Sequence, residues 1–306
     1  MTTILVTGAT GTVGSEVVKQ LVLALSSSDS NNYNNYDNNI IIRAAIHSEN
    51  KADKFKEYNN TVKIVHIDYN KPETIADALN QVDKLFLLTL PSPDMAVYSN
   101  LVKEIRKYDD LNHIVKLSSM AAAQQTELPT TIGRIHREEE RIIEESGIPF
   151  TFLRPPAFMQ NFITQFGYTI RTRDAFYVPA GDAKVSFIDA RDVAAVSVQA
   201  LTSKNQQHIG NAYVITAEAI SYGQAAEILS KEIGRRISYV DIPEDEALKG
   251  MKEGGMDDWL IYAIREFYSI IKAGHASKTT TVAEQIIGRK PISFSQFAKD
   301  YAKFFR

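Results

Sequence analysis

Three glycines near the start of the chain have a spacing that indicates a phosphate-binding site. Gly8, Gly11 and Gly14 lie in the segment ILVTGATGTVGSEVV, between a β-branched run and a run with apolar residues at helical spacing. A strand that turns sharply into a helix needs positive φ angles or close backbone contact, and glycine provides both without steric cost. The main-chain amides at the start of the helix, with its dipole, can bind a pyrophosphate. The alternative is a tight turn without a ligand, but the strand, helix and GxxGxxG spacing favour a dinucleotide site.

The rest of the chain alternates between short apolar segments typical of strands and amphipathic segments typical of helices. This alternation predicts an α/β fold with a doubly wound parallel sheet of the Rossmann type, in which ligands lie at the carboxyl ends of the strands. In a helix expected at 137–146, opposite charges at i to i+4 spacing indicate a solvated face. Gly147 is expected to end that helix, and Asp189 to cap a later one. The predicted strands are residues 3–6, 40–47, 62–69, 84–89, 113–118 and 149–155, with a further strand and helix over 186–201.

The end of the second predicted strand bears on which dinucleotide is bound. A carboxylate there would hydrogen bond to the ribose hydroxyls of NAD and repel the extra phosphate of NADP. The strand ends instead at His47, with Lys51 nearby, and this favours NADP as the cofactor. NAD stays the alternative, because Glu49 is only two residues along and Lys51 could be solvated at a helix start.

Residues at the other strand ends are expected to contact the remaining parts of the dinucleotide. Asp68 is placed to contact the edge of the adenine, and its alternative role is an N-cap for the helix beginning near Pro72. The predicted contacts are Gly8, Thr10, Gly11, Thr12, Val13 and Gly14 at the pyrophosphate, His47 and Lys51 near the adenosine ribose, Asp68 and Tyr69 at the adenine, and Thr89 and Ser118 along the nicotinamide half.

Composition argues against several other classes of protein. The 306 residues carry a formal net charge of -3, whereas nucleic acid or an anionic membrane normally calls for a strongly basic face. The chain has no cysteine, which excludes disulfides and thiolate metal sites and fits a reducing compartment. The six histidines lie far apart without an HExxH motif, so no metal site is expected. Without a basic leader or an apolar run near the ~20 residues that span a bilayer, we expect the protein in the cytoplasm, or in the nucleus if it is a regulator.

Several motifs, taken in order, resemble the NmrA-like branch of the atypical short-chain dehydrogenase/reductases. The segments LRPPAFMQNF and FIDARDVA make the resemblance specific, whereas the glycine motif alone would not. It covers nearly the whole chain apart from the low-complexity segment 26–39, which we interpret as a disordered insertion. The other motifs are TGATGTVG, HIDY, LFLLTLP, IVKLSSMAA, HREEERIIEESGIPFTFLRPP and the tail from NAYVIT to FAKDYAKFF.

The resemblance implies an NAD(P)-binding Rossmann domain and a smaller α/β C-terminal domain that covers the nicotinamide end. We expect the first domain over 1–153, with 186–203 returning to it, and the cover over 154–306. Phe158 and Asn161 are expected to face the open pocket. Members of the family include quinone and dye reductases as well as redox sensors and regulators of transcription and differentiation, so the fold alone does not decide the function.

The catalytic pair of many short-chain dehydrogenases is not found at its expected place. In that Tyr-x-x-x-Lys pair, the lysine lowers the tyrosine pKa so that the phenol can exchange a proton with the substrate. Tyr268 with Lys272 alone has this spacing, but far downstream of Ser118, so we treat it as chance. His136 is a candidate catalytic acid in the expected helix, with Glu139 where some relatives carry lysine. Its alternative role is that of a polar or hydrogen-bonding residue.

Two functions are compatible with this pattern, and whether the protein is an enzyme stays open at this point. The missing pair favours a protein that binds NADP and acts as a redox-sensing regulator through protein partners, in cell regulation or differentiation. The alternative is an NADPH-dependent reductase that transfers hydride to a quinone-like or other small aromatic acceptor, because the cofactor supplies most of that chemistry.

Overall fold

The computed structural model describes residues 2–26, 40–58, 61–108, 110–123 and 130–306. Most of the predicted insertion, residues 27–39, therefore lies outside the described residues. The strands are β1 (Thr2–Val6), β2 (Ile40–Ile46), β3 (Val62–His66), β4 (Lys84–Leu87), β5 (His113–Leu117), β6 (Phe150–Arg154), β7 (Ala157–Phe158), β8 (Ala175–Tyr177), β9 (Lys184–Ile188), β10 (Asn211–Val214), β11 (Glu218–Ser221) and β12 (Ser238–Val240).

Helices connect most of these strands. They are α1 (Thr12–Ser26), α2 (Pro72–Leu79), α3 (Ala96–Ile105), α4 (Thr131–Ser146), α5 (Asn161–Thr164), α6 (Gly167–Arg173), α7 (Ala190–Thr202), α8 (Tyr222–Ile233), α9 (Glu244–Glu253), α10 (Asp258–Lys272), α11 (Val282–Ile287) and α12 (Phe294–Asp300), with short 3-10 helices at Glu49–Tyr58, Met120–Ala122, His275–Ser277 and Ala302–Phe304. In the described part of the chain, none of them is long and apolar enough to cross a membrane.

A parallel sheet of seven strands forms the centre of the molecule, in the order β3-β2-β1-β4-β5-β6-β10. The predicted Rossmann-type sheet is confirmed. The strand order reverses between β1 and β4, and ligands bind at such a switch point in doubly wound sheets. The carboxyl ends of β1 to β6 therefore bring most of the predicted site residues to one edge.

The C-terminal part of the chain has a second, smaller hydrophobic core. β11, β9 and β7 form one small sheet, and β12 pairs with β8 in another. The ring of Phe162 is at the centre of this core, with ring centroids of five other aromatic residues 4.8–5.9 Å away. Those residues are Phe166, Phe176, Phe187, Tyr222 and Phe294. We refer to residues 155–306 without α7 and β10 as the cover.

The segment 186–203 divides between the two parts of the molecule. β9 pairs with β11 and β7 in the cover, whereas the buried side chains of α7 pack with those of α1 in the core beside the central sheet. The seventh strand of that sheet is β10, which pairs with β6 and was not among the predicted strands. The domain boundaries at 153 and 154 stay a prediction.

The ends of two helices are set by local hydrogen bonds. α4 begins six residues before the predicted 137, because the Thr130 hydroxyl accepts a hydrogen bond from the main-chain N–H of Gly133. It ends where Gly147 adopts a φ of 78°, as predicted. Asp189 caps α7 by accepting from the N–H of Arg191, which confirms the predicted cap.

Candidate functional site

The glycine turn lies between β1 and α1, at the switch point of the central sheet. Gly8 has a φ of +59°, which a residue with a side chain rarely adopts. A Cβ atom at position 14 would lie 2.2 Å from the carbonyl oxygen of Gly8, so only glycine lets the helix pack this closely on the turn. The turn is also fixed to β4, because the N–H of Leu88 donates to the Thr7 hydroxyl at 2.8 Å.

This turn fits the diphosphate of a dinucleotide. It places no bulky side chain before the start of α1, and the first turn of that helix contains no acidic residue. The exposed N–H groups and the positive end of the helix dipole therefore face the edge where a dianion would lie, at about 0.3–1 kcal/mol per charge from the dipole alone.

Lys54 contacts the glycine turn, a contact that was not predicted from the sequence. Its Nζ donates a hydrogen bond of 3.0 Å to the main-chain oxygen of Thr10. Lys51 and Lys54 belong to the same 3-10 helix, Glu49–Tyr58. Residues three apart eclipse each other in a 3-10 helix, so the Lys51 side chain is expected on the same face of this helix as Lys54. The spacing of the two lysines was the available sequence signal.

His47 is exposed directly after β2 and contacts residues at the end of β3. Its main-chain oxygen lies 2.9 Å from Nε2 of His66, and its Nδ1 lies 3.4 Å from the oxygen of Ile67. The imidazole therefore lies where β2 and β3 end, on the predicted adenosine side of the glycine turn.

Asp68 and Tyr69 are held by neighbours after β3. The carboxylate of Asp68 accepts from the N–H of Asn70 at 3.0 Å, which is the main reason that its pKa is lowered. The alternative role of Asp68 as N-cap is wrong, because Lys71 occupies that position and α2 has no side-chain cap. The Tyr69 hydroxyl donates to the oxygen of Leu88, and burial raises its pKa to about 12. The adenine contact of these residues stays a prediction.

A buried charge network lies under the carboxyl ends of β4 and β5. Lys116, 0% exposed at its side chain, places Nζ 2.8 Å from Oε2 of Glu139, which is 3% exposed. The Thr89 hydroxyl donates to Oε1 of the same carboxylate at 2.8 Å. Burial alone would raise the pKa of Glu139, but the hydrogen bond from His136 and the charge of Lys116 lower it to about 2. Glu139 is therefore ionised at any physiological pH.

His136 belongs to this network. Its Nδ1 lies 3.0 Å from Oε2 of Glu139, and the ring is buried. An ionised carboxylate only accepts hydrogen bonds, so Nδ1 donates. Burial first, and the charge of Lys116 second, lower the pKa of His136, so the imidazole is neutral near pH 7. These contacts favour its alternative role as a hydrogen-bonding residue over that of a catalytic acid.

A second buried carboxylate joins the ends of β5 and β6. Glu140, 0% exposed, accepts from the Ser118 hydroxyl at 2.7 Å and from Nε and a terminal nitrogen of Arg154 at 2.9 and 2.6 Å. The Ser118 hydroxyl is thus bonded to Glu140, and its contact with the nicotinamide half stays a prediction. The expected solvated face of α4 is wrong for Glu139 and Glu140, whereas Glu138 and Glu145 pair with Arg141 at the surface.

The two most specific motifs meet where the cover joins the central sheet. Gln160 donates from Nε2 to Asp189 at 3.0 Å, and its Oε1 accepts from the N–H of Ala190 at 3.0 Å. Phe158, in β7, pairs with Ile188 and packs partly buried against the main core. Asn161 begins α5 and is partly buried. That these two residues face the acceptor pocket stays a prediction.

Tyr268 and Lys272 do not form a catalytic pair in the structure. Tyr268 is buried in the core of the cover, and burial raises its pKa to about 12. Lys272 instead donates to the Glu244 carboxylate at 2.8 Å. The interpretation of this spacing as chance agrees with these contacts.

Comparisons with known proteins agree with this architecture. An azoreductase described as using NAD(P)H, from Xenophilus azovorans, is 34% identical over 99% of this chain and 99% of its own. Prestalk A differentiation protein A of Dictyostelium discoideum is 30% identical over 97% and 91% of the two chains. The NADPH complex of a quinone oxidoreductase from Escherichia coli has a TM-score of 0.78 at 21% identity, covering 97% of this chain and 99% of the other.

The crystal structure of a triphenylmethane reductase from Citrobacter sp. with NADP(H) has a TM-score of 0.77 at 23% identity, covering 99% and 100% of the two chains. At these identities the solved structures support the fold. The model of the NmrA-like family matches residues 1–297. Together with the glycine turn, the seven-strand sheet and the full-length relatives, this match shows that the chain belongs to the NmrA-like family.

Proposed function

We propose that this protein is an NADPH-dependent reductase that transfers a hydride to a small conjugated acceptor, such as a quinone or an azo compound. The observation that carries the proposal is the glycine turn with Lys54 beside it, at the switch point of the parallel sheet. The full-length azoreductase and the solved reductase complexes support the same cofactor class.

The chain's own residues would bind and orient the dinucleotide. The amides at the start of α1 would bind the diphosphate, while Lys51 and Lys54 would supply positive charge on the adenosine side, where NADP differs from NAD by one phosphate. When bound, the nicotinamide supplies the hydride. The exposed His47 and the absence of a carboxylate at the tip of β2 agree with a preference for NADPH over NADH.

The kind of acceptor follows from the missing proton donor. In the sequence the Tyr-x-x-x-Lys spacing occurs at Tyr268 and Lys272 alone, and Tyr268 is buried in the core of the cover. His136 is neutral and bonded to Glu139. Reduction of a ketone forms a strongly basic alkoxide that needs such a donor. A reduced quinone is a far weaker base and takes its proton from water. The missing donor therefore favours quinone-like acceptors, whereas the azo compounds in the proposal rest on the azoreductase that is 34% identical. Phe158 and Asn161 are the residues we assign to the acceptor side.

A panel assay tests this function. Purified protein is incubated with NADPH and with quinones, azo dyes and ketones of similar size, and the loss of NADPH absorbance is followed. We expect turnover well above the uncatalysed rate with quinones or azo dyes and none with ketones. Oxidation of NADPH by none of the acceptors, in a sample that binds NADPH, would end the reductase proposal.

The second candidate is a regulator that responds to the NADPH to NADP ratio through a protein partner. The differentiation protein that is 30% identical over nearly its full length supports this alternative. A regulator of this kind would bind the two redox forms with different affinities and show no turnover in the panel assay. Calorimetric titration with each form distinguishes the two candidates, because a protein that binds NADPH and NADP with equal affinity cannot respond to their ratio.

A further inference from the structure

We propose that Glu139, held by Lys116, is a positioning residue that fixes the Thr89 hydroxyl as a hydrogen-bond acceptor for the carboxamide N–H of bound nicotinamide. The inference rests on the proposed dinucleotide site. It adds a specific function for the buried network: discrimination between the carboxamide of nicotinamide and the carboxylate of its nicotinic acid analogue.

The direction of the hydrogen bond at Thr89 follows from the chemistry of its partner. A threonine hydroxyl has one hydrogen and two lone pairs, and an ionised carboxylate can only accept. The 2.8 Å contact between Thr89 Oγ1 and Glu139 Oε1 therefore uses the only hydroxyl hydrogen. What the Thr89 oxygen can offer a ligand is its lone pairs, and these require a donor.

Two nitrogen atoms near the other oxygen of the Glu139 carboxylate, Oε2, stabilise its ionised state. Nζ of Lys116 and Nδ1 of His136 lie 2.8 and 3.0 Å from Oε2, which leaves Oε1 for Thr89. Lys116 also donates to the main-chain oxygen of Leu117 at 3.0 Å, so its ammonium group is held in place. A buried ion pair is often no more stabilising than an apolar replacement. We therefore infer that the pair of Lys116 and Glu139 holds the carboxylate in position.

The position of Thr89 gives the nature of the ligand group. Thr89 follows β4 after one residue, and β4 is the neighbour of β1 on the side of the switch point away from β2 and β3. A dinucleotide whose diphosphate lies at the glycine turn and whose adenosine lies over β2 and β3 must place its other half over β4 and β5. Within that half we assign the carboxamide, which has N–H donors as well as a carbonyl acceptor, as the partner of Thr89. A carboxylate cannot be that partner, because it has no hydrogen to donate to the Thr89 oxygen.

Ligand discrimination measures this effect without relying on activity. Dissociation constants are compared for NADP, for nicotinic acid adenine dinucleotide phosphate and for adenosine 2′,5′-bisphosphate, which lacks the nicotinamide half. We expect the unmodified protein to bind NADP at least about tenfold more tightly than the nicotinic acid analogue, in line with one hydrogen bond lost beside a charge.

Three variants test the positioning role. In Glu139→Gln the amide can donate to Thr89, which frees the hydroxyl hydrogen, so the preference for NADP should fall to about threefold or less. Thr89→Val should lose it as well, while Thr89→Ser should keep it. Glu138→Gln, one residue away at the surface, is the matched control and should behave as the unmodified protein. Binding of the bisphosphate should be unchanged in all four, which reports an intact fold.

If Glu139→Gln leaves Lys116 unpaired and fails to fold, the double variant Lys116→Met with Glu139→Gln removes both charges and should show the same loss of preference. Equal affinity of the unmodified protein for NADP and the nicotinic acid analogue would overturn the inference while the proposed function stands. Failure to bind either NADP or the bisphosphate would overturn both.

Discussion

The side chain of Lys54 donates a hydrogen bond of 3.0 Å to the main-chain oxygen of Thr10, which joins the helix after β2 to the glycine turn. Forty-four residues separate the two in sequence. The contact places a positive charge on the side of the turn where the ribose of the adenosine is expected. Lys54 is therefore the structural candidate for recognising the additional phosphate of NADP.

Replacement of Lys54 should change the preference between the two dinucleotides. We expect Lys54→Gln to weaken NADPH binding about tenfold, because one charge-assisted hydrogen bond to phosphate is lost, and to leave NADH binding nearly unchanged. Binding is measured by calorimetry with each dinucleotide. Lys56→Gln is the control, because Lys56 lies on the same helix but pairs with Asp53 at 2.9 Å. A parallel loss of NADH affinity would contradict the assignment to the phosphate.

The close contact at Gly14 should make this position intolerant of any side chain. Gly14→Ala places a Cβ 2.2 Å from the Gly8 oxygen, so we expect the free energy of unfolding to fall by about 1–3 kcal/mol and dinucleotide binding to weaken. Urea denaturation measures the change. Gly250→Ala is the control in the helix α9, where nothing lies within 4 Å of the added atom, and it should be neutral or stabilising by about 0.5–1 kcal/mol.

Two neighbouring glutamates of α4 should differ sharply in their contribution to stability. Glu140→Ala leaves the Arg154 guanidinium and the Ser118 hydroxyl without their buried partner, so we expect a loss of about 3–5 kcal/mol in the free energy of unfolding. Glu138→Ala removes a surface partner of Arg141 and should cost less than about 1 kcal/mol. Similar losses for both variants, measured by denaturant unfolding, would show that burial does not determine how much each glutamate contributes to stability.

Stability should fall as the pH is lowered from 6.5 to 4 because of His113. The ring is buried at the amino end of β5, with Nε2 2.9 Å from the Thr151 hydroxyl, and burial lowers its pKa from 6.5 to about 4. Below pH 6.5 the unfolded chain binds a proton that the folded protein excludes, so the contribution is complete above pH 6.5 and lost towards pH 4. The total loss in the free energy of unfolding from this group is about 3 kcal/mol.

Unfolding curves at several pH values test this expectation. The variant His113→Gln should show a shallower decrease between pH 6.5 and 4 than the unmodified protein, whatever its stability at neutral pH. An identical slope in the two proteins would mean that His113 does not carry the pH dependence.

The sequence by itself determined the features that depend on neighbouring residues. The glycine turn, the alternation of strands and helices, the cap at Asp189 and the end of α4 at Gly147 follow from local backbone geometry, and the structure agrees with them. Family resemblance added the expectation of a smaller C-terminal domain that covers the nicotinamide end. The turn, the alternation, the cap and the helix end could be predicted because each depends on a few consecutive residues.

Only the tertiary structure decided which charges are buried and which distant segments pair. Glu138 and Glu139 look alike in a helix with charges at i to i+4 spacing, but Glu139 faces Lys116 of β5 and Glu138 faces solvent. The contact of Lys54 with Thr10 and the pairing of β10 with β6 likewise join segments far apart in the chain. Which charged side chains are buried, and which distant strands pair, depend on how the elements pack against each other, and the spacing of charges along one helix does not specify that packing.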